Sequence, residues 1–212
     1  MFPCIATGAQ MRLIGMLDSP YVRRAAISLR LLGLTYALEQ VSVFRTFEQF
    51  RAINPVVKAP TLVCDDGTVL MDSTLIVDYA EALAGRSLMP AALPARQRAL
   101  RIVGLALAAC EKAVQHVYEH NLRPTEKVHQ PWVERVDGQR ASAFALLEAE
   151  MRQMPVPASE RELDQAGLTA AVVWTFTQAM LPDQADAATH PALAAFAGAV
   201  EALPAFQALP HA

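Results

Sequence analysis

The stretch Asp18-Ser19-Pro20-Tyr21-Val22-Arg23-Arg24 follows a short apolar run, Arg12–Met16, and opens a segment whose apolar residues have helical spacing. Serine is favoured at the N-cap of a helix and proline at its first position, so the stretch predicts a helix that begins at Pro20. The apolar residues at positions 22, 25, 26, 29 and 32 share one face of that helix, and Gly33 suits its C-terminal end. Taken alone, Ser19 is therefore a helix cap.

Short apolar runs alternate with helical segments between Met11 and Gly85. The predicted strands are Arg12–Met16, Ala37–Val43, Thr61–Cys64 and Thr68–Met71. The predicted helices begin at Pro20, Thr46 and Ser73. The last two strands are separated by Asp65-Asp66-Gly67, a strong hairpin signal. A strand–helix–strand unit followed by a hairpin and a helix predicts a mixed sheet covered by helices.

After Arg86 the strand signals stop, and Leu88–Leu93 has the proline-containing sequence of a linker. The helices predicted beyond it are Ala95–Asn121, Pro131–Gln153, Leu168–Met180 and Pro191–Ala202. In the first of them the apolar residues at 100, 103, 107, 110, 114 and 117 form the face that we expect to be buried. The chain thus combines an α/β domain, residues 11–87, with an all-helical domain, residues 94–212, after a flexible leader over residues 1–10.

Composition limits the possible functions. Of the 212 residues 53% are hydrophobic and 18% are charged, which is typical of a globular chain. The net charge of −3 gives no general attraction to nucleic acid, and no apolar run is long enough to span a membrane. The cysteines at positions 4, 64 and 110 form no CxxC pair and have no histidine at metal-ligand spacing. We therefore expect a cytoplasmic protein with no disulfide, no metal and no nucleic-acid or membrane partner, in which Cys64 and Cys110 are buried.

Three short motifs of the first half have a specific order and spacing: Ser19-Pro20 after the first strand, Asn54-Pro55 with Lys58-Ala59-Pro60 before the hairpin, and Asp72-Ser73 at the last helix. Together they resemble the glutathione-binding half of glutathione S-transferases, and Ser19–Arg24 is similar to the serine-type bacterial and plant classes. The resemblance covers nearly the whole chain from Met11. It implies a thioredoxin-like N-terminal domain with a mixed four-stranded sheet and an all-helical C-terminal domain. It also implies a cis peptide bond before Pro60.

The resemblance implies a catalytic role for Ser19. Only the thiolate of glutathione attacks electrophiles, whereas a free thiol has a pKa of ~8.5. A serine hydroxyl is no base at neutral pH, but it donates a hydrogen bond to a sulfur anion, and the helix start adds N–H groups and a favourable dipole. Both would lower the pKa of the thiol by stabilising its anion.

The same resemblance assigns the remaining contacts to the glutathione tripeptide. Ser73 meets the γ-glutamyl carboxylate, Asp72 the α-amine and Lys58 the glycyl carboxylate. The backbone of Ala59, held extended by Pro60, pairs with the tripeptide as an added strand does. Without the resemblance, Lys58 is an ordinary solvated lysine and Ser73 is a helix cap.

Two further expectations concern other positions. We expect Arg23 and Arg24 on the surface of the first helix, as charged side chains usually are. The family commonly opens its central C-terminal helix with Ser/Thr-x-x-Asp, and the matching stretch Thr169-Ala170-Ala171-Val172 lacks the acidic residue. The reciprocal capping bond is then missing, and we expect a loss of stability.

The resulting functional prediction is a glutathione S-transferase of detoxification. It would use glutathione as co-substrate, add it to a small hydrophobic electrophile and act as a homodimer. A glutathione-dependent reductase is an alternative, but such relatives usually carry cysteine at the position of Ser19. A non-catalytic binding or regulatory protein with this fold, and an isomerase of the same superfamily, stay open.

Overall fold

The computed structural model describes residues 10–211, and the chain divides between Ser87 and Leu88 into two compact units. The predicted leader over residues 1–10 lies outside the described residues apart from Gln10, as does Cys4. Across the described range, no helix is both long enough and apolar enough to cross a membrane.

The first unit is built on a four-stranded mixed sheet. Its elements are β1 (Arg12–Ile14), α1 (Pro20–Leu31), β2 (Ala37–Glu39), α2 (Phe47–Ile53), β3 (Thr61–Val63), β4 (Val69–Leu70) and α3 (Ser73–Ala84). The strand order is β2-β1-β3-β4, in which β2 runs parallel to β1 and the other two pairs are antiparallel. This arrangement confirms the predicted thioredoxin-like fold, although β2 ends at Glu39 rather than at Val43.

The core of this unit forms around β1 and α1. Leu13 and Ile14 are fully buried, and Ile14 packs with Val41 and Phe50. Every apolar position on the predicted face of α1 is buried as well. The helix ends at a left-handed turn at Gly33, whose φ is 77°. The local sequence signals therefore predicted the start, the buried face and the C-terminal turn of α1 correctly.

The expectation for Arg23 and Arg24 is wrong, because both side chains are buried in α1, with exposed fractions of 0% and 3%. Charged side chains are rarely buried unless they are paired. The sequence shows no partner near these arginines, so it predicted that both would be exposed. Arg24 has such partners at the start of α3, where its Nη1 donates to the hydroxyls of Ser73 and Thr74.

Every regular element of the second unit, Leu88–His211, is helical. The elements are α4 (Leu93–Asn121), α5 (Gln130–Met151), α6 (Gln165–Met180), α7 (Pro191–Glu201) and α8 (Pro204–Gln207), with 3₁₀ turns at Thr125–Lys127 and Pro182–Gln184. Helix α6 packs against α4 and α7 and buries Trp174 and Phe176. The segment 88–93 belongs to this unit, where the carbonyl of Leu88 accepts a hydrogen bond from the N–H of Gln165 at 3.0 Å.

Helix α4 buries a face that only partly overlaps the predicted one, because Cys110 alone of the six predicted positions is buried. Its buried side chains are Ala99, Ile102, Ala106, Ala109, Cys110, Ala113, His116 and Glu119. Leu100 of the predicted face is instead 56% exposed. Helix α4 packs against α5 and α6, and the distance between packed helices depends on the size of the side chains at the contact. Alanines permit a close approach but contribute little to an apolar pattern, so the pattern of larger residues indicated the buried face only in part.

Helix α6 begins earlier than predicted, and Thr169 is not its cap. The N-cap is Asp164, whose carboxylate accepts a hydrogen bond from the N–H of Gly167 at 2.8 Å. Thr169 lies inside the helix, where its hydroxyl donates to the carbonyl of Gln165 at 2.7 Å. An acidic partner three residues after the cap would fall at Gly167, where a Cβ would lie 2.8 Å from the ring of Phe196. The expected loss of stability at Thr169 therefore has no basis in this helix.

The residue after β1 tests how tightly α1 packs on the sheet. Gly15 has a φ of 143°, and a Cβ there would lie 2.5 Å from Cγ2 of the buried Val22. We expect Gly15→Ala to lower the free energy of unfolding by about 2–4 kcal/mol, because backbone strain and overpacking add. Urea denaturation measures this loss. The control is Gly104→Ala in α4, where the added Cβ meets nothing within 4 Å and should stabilise by roughly 0.5–1 kcal/mol. A Gly15→Ala variant as stable as the wild type would contradict the prediction.

Replacement of Asp164 tests the start of α6. Asp164→Ala removes the capping oxygen and should lower the free energy of unfolding by about 1 kcal/mol, whereas Asp164→Asn keeps an acceptor and should cost less.

Burial raises the pKa of Asp164 above its ordinary value of 3.8, so the native state binds this proton at a higher pH than the unfolded chain does. The stability of the wild type relative to Asp164→Asn should therefore rise as the pH falls from the raised pKa to 3.8. Urea denaturation across this interval gives both results, and a constant difference would refute the second.

Candidate functional site

The three sequence motifs meet at one edge of the sheet. Because β3 is antiparallel to both β1 and β4, the end of β1, the start of β3 and the end of β4 lie at the same edge. The register pairs Ile14 with Thr61, the residue directly after Pro60. Helix α1 begins after β1 and helix α3 after β4. Ser19, Pro60 and Ser73 are therefore placed around this edge.

Ser19 occupies the N-cap of α1. Its backbone is extended, and its Oγ accepts a hydrogen bond from the N–H of Val22 at 3.4 Å. Pro20 follows in the first helical turn, where its missing N–H costs no hydrogen bond. The Ser19 side chain is half-buried, and a hydroxyl that accepts at its oxygen keeps its proton for another acceptor. Ser19 is thus a helix cap and, in the same geometry, a potential donor.

The segment before β3 is held by the buried side chain of Asn54. Its Nδ2 donates to Oγ1 of Thr61 at 2.8 Å and to Sδ of Met71 at 3.4 Å. Its Oδ1 accepts from the N–H of Val56 at 3.0 Å. Oγ1 of Thr61 in turn donates to the carbonyl of Lys58 at 2.7 Å. These bonds fix the turn between α2 and β3 and tie it to the residue that follows β4.

Ala59 presents its backbone at the same edge. The peptide bond between Ala59 and Pro60 is cis. Within residues 10–211, neither the N–H nor the C=O of Ala59 forms a hydrogen bond. A Cβ on Gly15 would lie 3.4 Å from the Cβ of Ala59, so this segment lies directly beside the loop that leads to Ser19. The available N–H and C=O are what an extended peptide needs in order to pair here.

Asp72, and not Ser73, caps α3. Oδ1 of Asp72 accepts hydrogen bonds from the N–H groups of Thr74 at 2.8 Å and Leu75 at 3.4 Å. Ser73 is the first helical residue and is 2% exposed. Its Oγ accepts a hydrogen bond from Nη1 of Arg24 at 3.0 Å. The cap of α3 is therefore an aspartate, and the serine beside it is bound to a buried cation.

The other reactive side chains, a lysine and two cysteines, differ in their exposure to solvent. Lys58 is exposed and forms no ion pair within the described chain. Cys64 and Cys110 are buried free thiols, and burial raises the pKa of Cys64, which favours its protonated form. In the part of the chain that the structure describes, no group of three His, Cys, Asp or Glu side chains is arranged to hold a metal ion.

The sequence prediction missed the roles of Arg24 and the Asn54 side chain in this arrangement. Asn54 belongs to the quoted motif, but its partners Thr61 and Met71 become neighbours only through the sheet. Arg24 stands between Val22 and the buried positions 25 and 26. A cation between buried positions needs a partner, and this is the signal that could have identified it.

The first unit thus combines a thioredoxin-like fold with two helix starts and a cis-proline segment at one sheet edge, and it is joined in sequence to a helical unit. Comparison with known proteins gives the family. The family "Glutathione S-transferase, N-terminal domain" matches residues 13–88. The first unit therefore belongs to this N-terminal domain family, and the chain as a whole is similar to solved glutathione transferases.

Individual relatives agree with this assignment. A glutathione transferase family member from Pseudomonas fluorescens Pf-5, solved with bound glutathione, is 27% identical, with a TM-score of 0.79 over 94% of this chain and 98% of that one. A glutathione S-transferase from Methylobacterium radiotolerans JCM 2831, in complex with glutathione sulfonate, shares the fold with a TM-score of 0.84 at 24% identity over 95% of each chain. The uncharacterized GST-like protein YibF of Escherichia coli K12 is 32% identical over 84 residues. That match spans 40% of this chain and 40% of YibF, less than half of the length of the curated relative.

The Asn54 bonds can be tested by truncation. We expect Asn54→Ala to lower the free energy of unfolding by about 1–3 kcal/mol, because buried polar atoms lose their partner. Asn121→Ala, at the exposed end of α4, is the matched control and should change stability by no more than about 0.5 kcal/mol. Urea denaturation measures both variants. Equal losses in the two would show that the Asn54 bonds contribute nothing specific.

Proposed function

We propose that the chain is a glutathione transferase that binds glutathione, stabilises its thiolate and adds it to a small hydrophobic electrophile. The observation that carries the proposal is the convergence of Ser19, the Ala59 backbone and Ser73 at one edge of the sheet. A hydroxyl at a helix start, an unpaired stretch of backbone and a second helix start match the thiol, the peptide backbone and a terminal carboxylate of glutathione.

In this proposal the start of α1 lowers the pKa of the glutathione thiol. Oγ of Ser19 is oriented by its bond from the N–H of Val22, and its proton is donated to the sulfur anion. The partial positive charge of the helix start acts in the same direction. Because both contacts favour the anion, the pKa of the bound thiol falls below the ~8.5 of a free thiol. The thiolate then attacks the electrophile at neutral pH.

The rest of the tripeptide is held by its ends and its backbone. The N–H and C=O of Ala59 pair with the tripeptide backbone, and Ser73 offers its N–H and hydroxyl to the γ-glutamyl carboxylate. Asp72 caps α3 through Oδ1 and has a second carboxylate oxygen for the α-amine. The exposed Lys58 meets the glycyl carboxylate as a point charge.

The rival functions of this superfamily have less support. A glutathione-dependent reductase needs a thiol that forms a mixed disulfide, whereas the start of α1 carries Ser19 and both Cys64 and Cys110 are buried. A non-catalytic binding protein would hold glutathione by the same contacts and is separated from a transferase only by activity. The relative from Pseudomonas fluorescens that was solved with glutathione supports the ligand that these two readings share.

We also propose that the protein is a cytoplasmic homodimer, as the family resemblance implies. The buried free thiols of Cys64 and Cys110 suit a reducing compartment. Leu75 on α3 and Leu100 on α4 are 59% and 56% exposed and supply apolar surface for a second copy. Sedimentation equilibrium gives the oligomeric state directly.

The catalytic role of Ser19 is tested by Ser19→Ala. We expect kcat/KM for the conjugation of glutathione to chlorodinitrobenzene to fall about 100-fold, which is typical for the loss of one preorganised donor to an anion. Retention on immobilised glutathione should persist, because the tripeptide contacts remain. The pH at which activity rises should move up toward the ~8.5 of a free thiol.

Ser142→Ala, an exposed serine on α5, is the matched control and should keep full activity. An active Ser19→Ala variant would move thiolate stabilisation to the N–H groups of the helix start. A wild-type protein that binds immobilised glutathione but conjugates none would favour the non-catalytic reading. Failure of the wild type to bind would refute the proposed ligand.

A further inference from the structure

Arg24 is a buried cation that the proposed chemistry does not use. It lies on α1 five residues after Ser19 and is 3% exposed. Its Nη1 donates to Oγ of Ser73 at 3.0 Å and to Oγ1 of Thr74 at 3.2 Å. Removing a guanidinium from water is costly, so a buried arginine needs hydrogen-bond partners, and Ser73 and Thr74 supply two of them. Because this charge is hydrogen-bonded to the first two residues of α3, it can influence what the start of that helix binds.

The bond from Arg24 determines what Ser73 can donate. Because Oγ of Ser73 accepts from the guanidinium, its hydroxyl proton points to another acceptor. The N–H of Ser73, at the first helical position, has no partner within its helix. Asp72 uses its carboxylate for the N–H groups of Thr74 and Leu75. Two donors of Ser73 are therefore left for an anionic ligand.

The charge of Arg24 also changes the electrostatics of this helix start. The carboxylate of Asp72 stands next to Ser73 and repels any second carboxylate. A guanidinium within hydrogen-bond distance of Ser73 offsets that repulsion, and its burial limits screening by water and salt. A charged donor also polarises the hydroxyl that it binds, which makes the hydroxyl a stronger donor.

We infer that Arg24 is a positioning residue for a carboxylate subsite at the start of α3. It holds Ser73 as a double donor to the α-carboxylate of the γ-glutamyl group, and its charge partly offsets that of Asp72, the residue before Ser73. Since Arg24 belongs to α1, whose N-cap is Ser19, it also sets the spacing between the thiolate and carboxylate ends of the ligand. This inference rests on the proposed binding of glutathione.

The test compares two ligands that differ only in this carboxylate. Glutathione and γ-aminobutyryl-cysteinyl-glycine, which keeps the amine and lacks the carboxylate, are titrated by calorimetry into the wild type, Arg24→Met and Arg24→Lys. For Arg24→Met we expect the affinity for glutathione to fall roughly 10- to 100-fold, the range for losing one hydrogen bond to a charged group. The affinity for the analogue should stay unchanged. Arg24→Lys restores the charge and should recover part of the loss.

Kinetics give a second readout. With Arg24→Met, the KM for glutathione should rise while kcat at saturating glutathione is retained, because the thiolate contact at Ser19 is intact. Arg30→Met, an exposed arginine at the end of α1, is the matched control and should bind both ligands as the wild type does. If Arg24→Met does not fold, Arg24→Lys carries the same comparison.

The outcomes separate this inference from the function on which it rests. If the wild type binds glutathione and Arg24→Met binds it equally well, the inference is wrong and the proposed function stands. If Arg24→Met weakens both ligands alike, Arg24 is only structural, and the inference is again wrong. A wild type that binds neither ligand would refute the proposed function and the inference together.

Discussion

The backbone N–H groups that begin a helix have no partners within that helix, and the first unit places two such helix starts at one edge of its sheet. This placement follows from strand direction. Because β1 and β4 run the same way, the helices that follow them both begin at that edge, and β3, which runs the opposite way, starts there with the cis Ala59–Pro60 bond. The candidate site is therefore a consequence of sheet topology, and side chains adjust what the two helix starts already provide.

Local chemistry explains why so much of this unit could be predicted from the sequence. Ser19-Pro20 defines the start of α1, and Asp65-Asp66-Gly67 defines the hairpin between β3 and β4, because each signal acts through its own backbone. The convergence of the motifs at one sheet edge, by contrast, does not follow from local sequence signals. Strand order and direction are not encoded in any one stretch, so the meeting of Ser19, Ala59 and Ser73 was predicted through the family resemblance rather than from the residues.

The failures of prediction share a physical cause, which is that burial depends on distant partners. Arg24 is buried because hydroxyls 49 and 50 residues away accept its hydrogen bonds, and no local pattern contains that information. Helix α4 buries its alanine face because α5 and α6 approach it closely. The start of α6 was misplaced because Phe196 of α7 leaves room only for glycine at 167, so the usual acidic partner is absent while Asp164 still caps the helix.

A residue at a helix start can cap the helix and bind a ligand at the same time. A cap satisfies N–H groups with one oxygen, and a hydroxyl or carboxylate cap has further capacity for a ligand. At α1 that capacity is a single hydroxyl proton, and a serine can stabilise a thiolate by a hydrogen bond without forming a covalent bond to it. A cysteine thiolate in its place could instead attack a disulfide of glutathione, forming a mixed disulfide and releasing the other sulfur as a thiolate. Cys64 and Cys110, the free thiols among the described residues, are both buried and are not exposed for disulfide exchange. The serine at position 19 is therefore consistent with the proposed transfer of glutathione to an acceptor, whereas redox chemistry would need a thiol there.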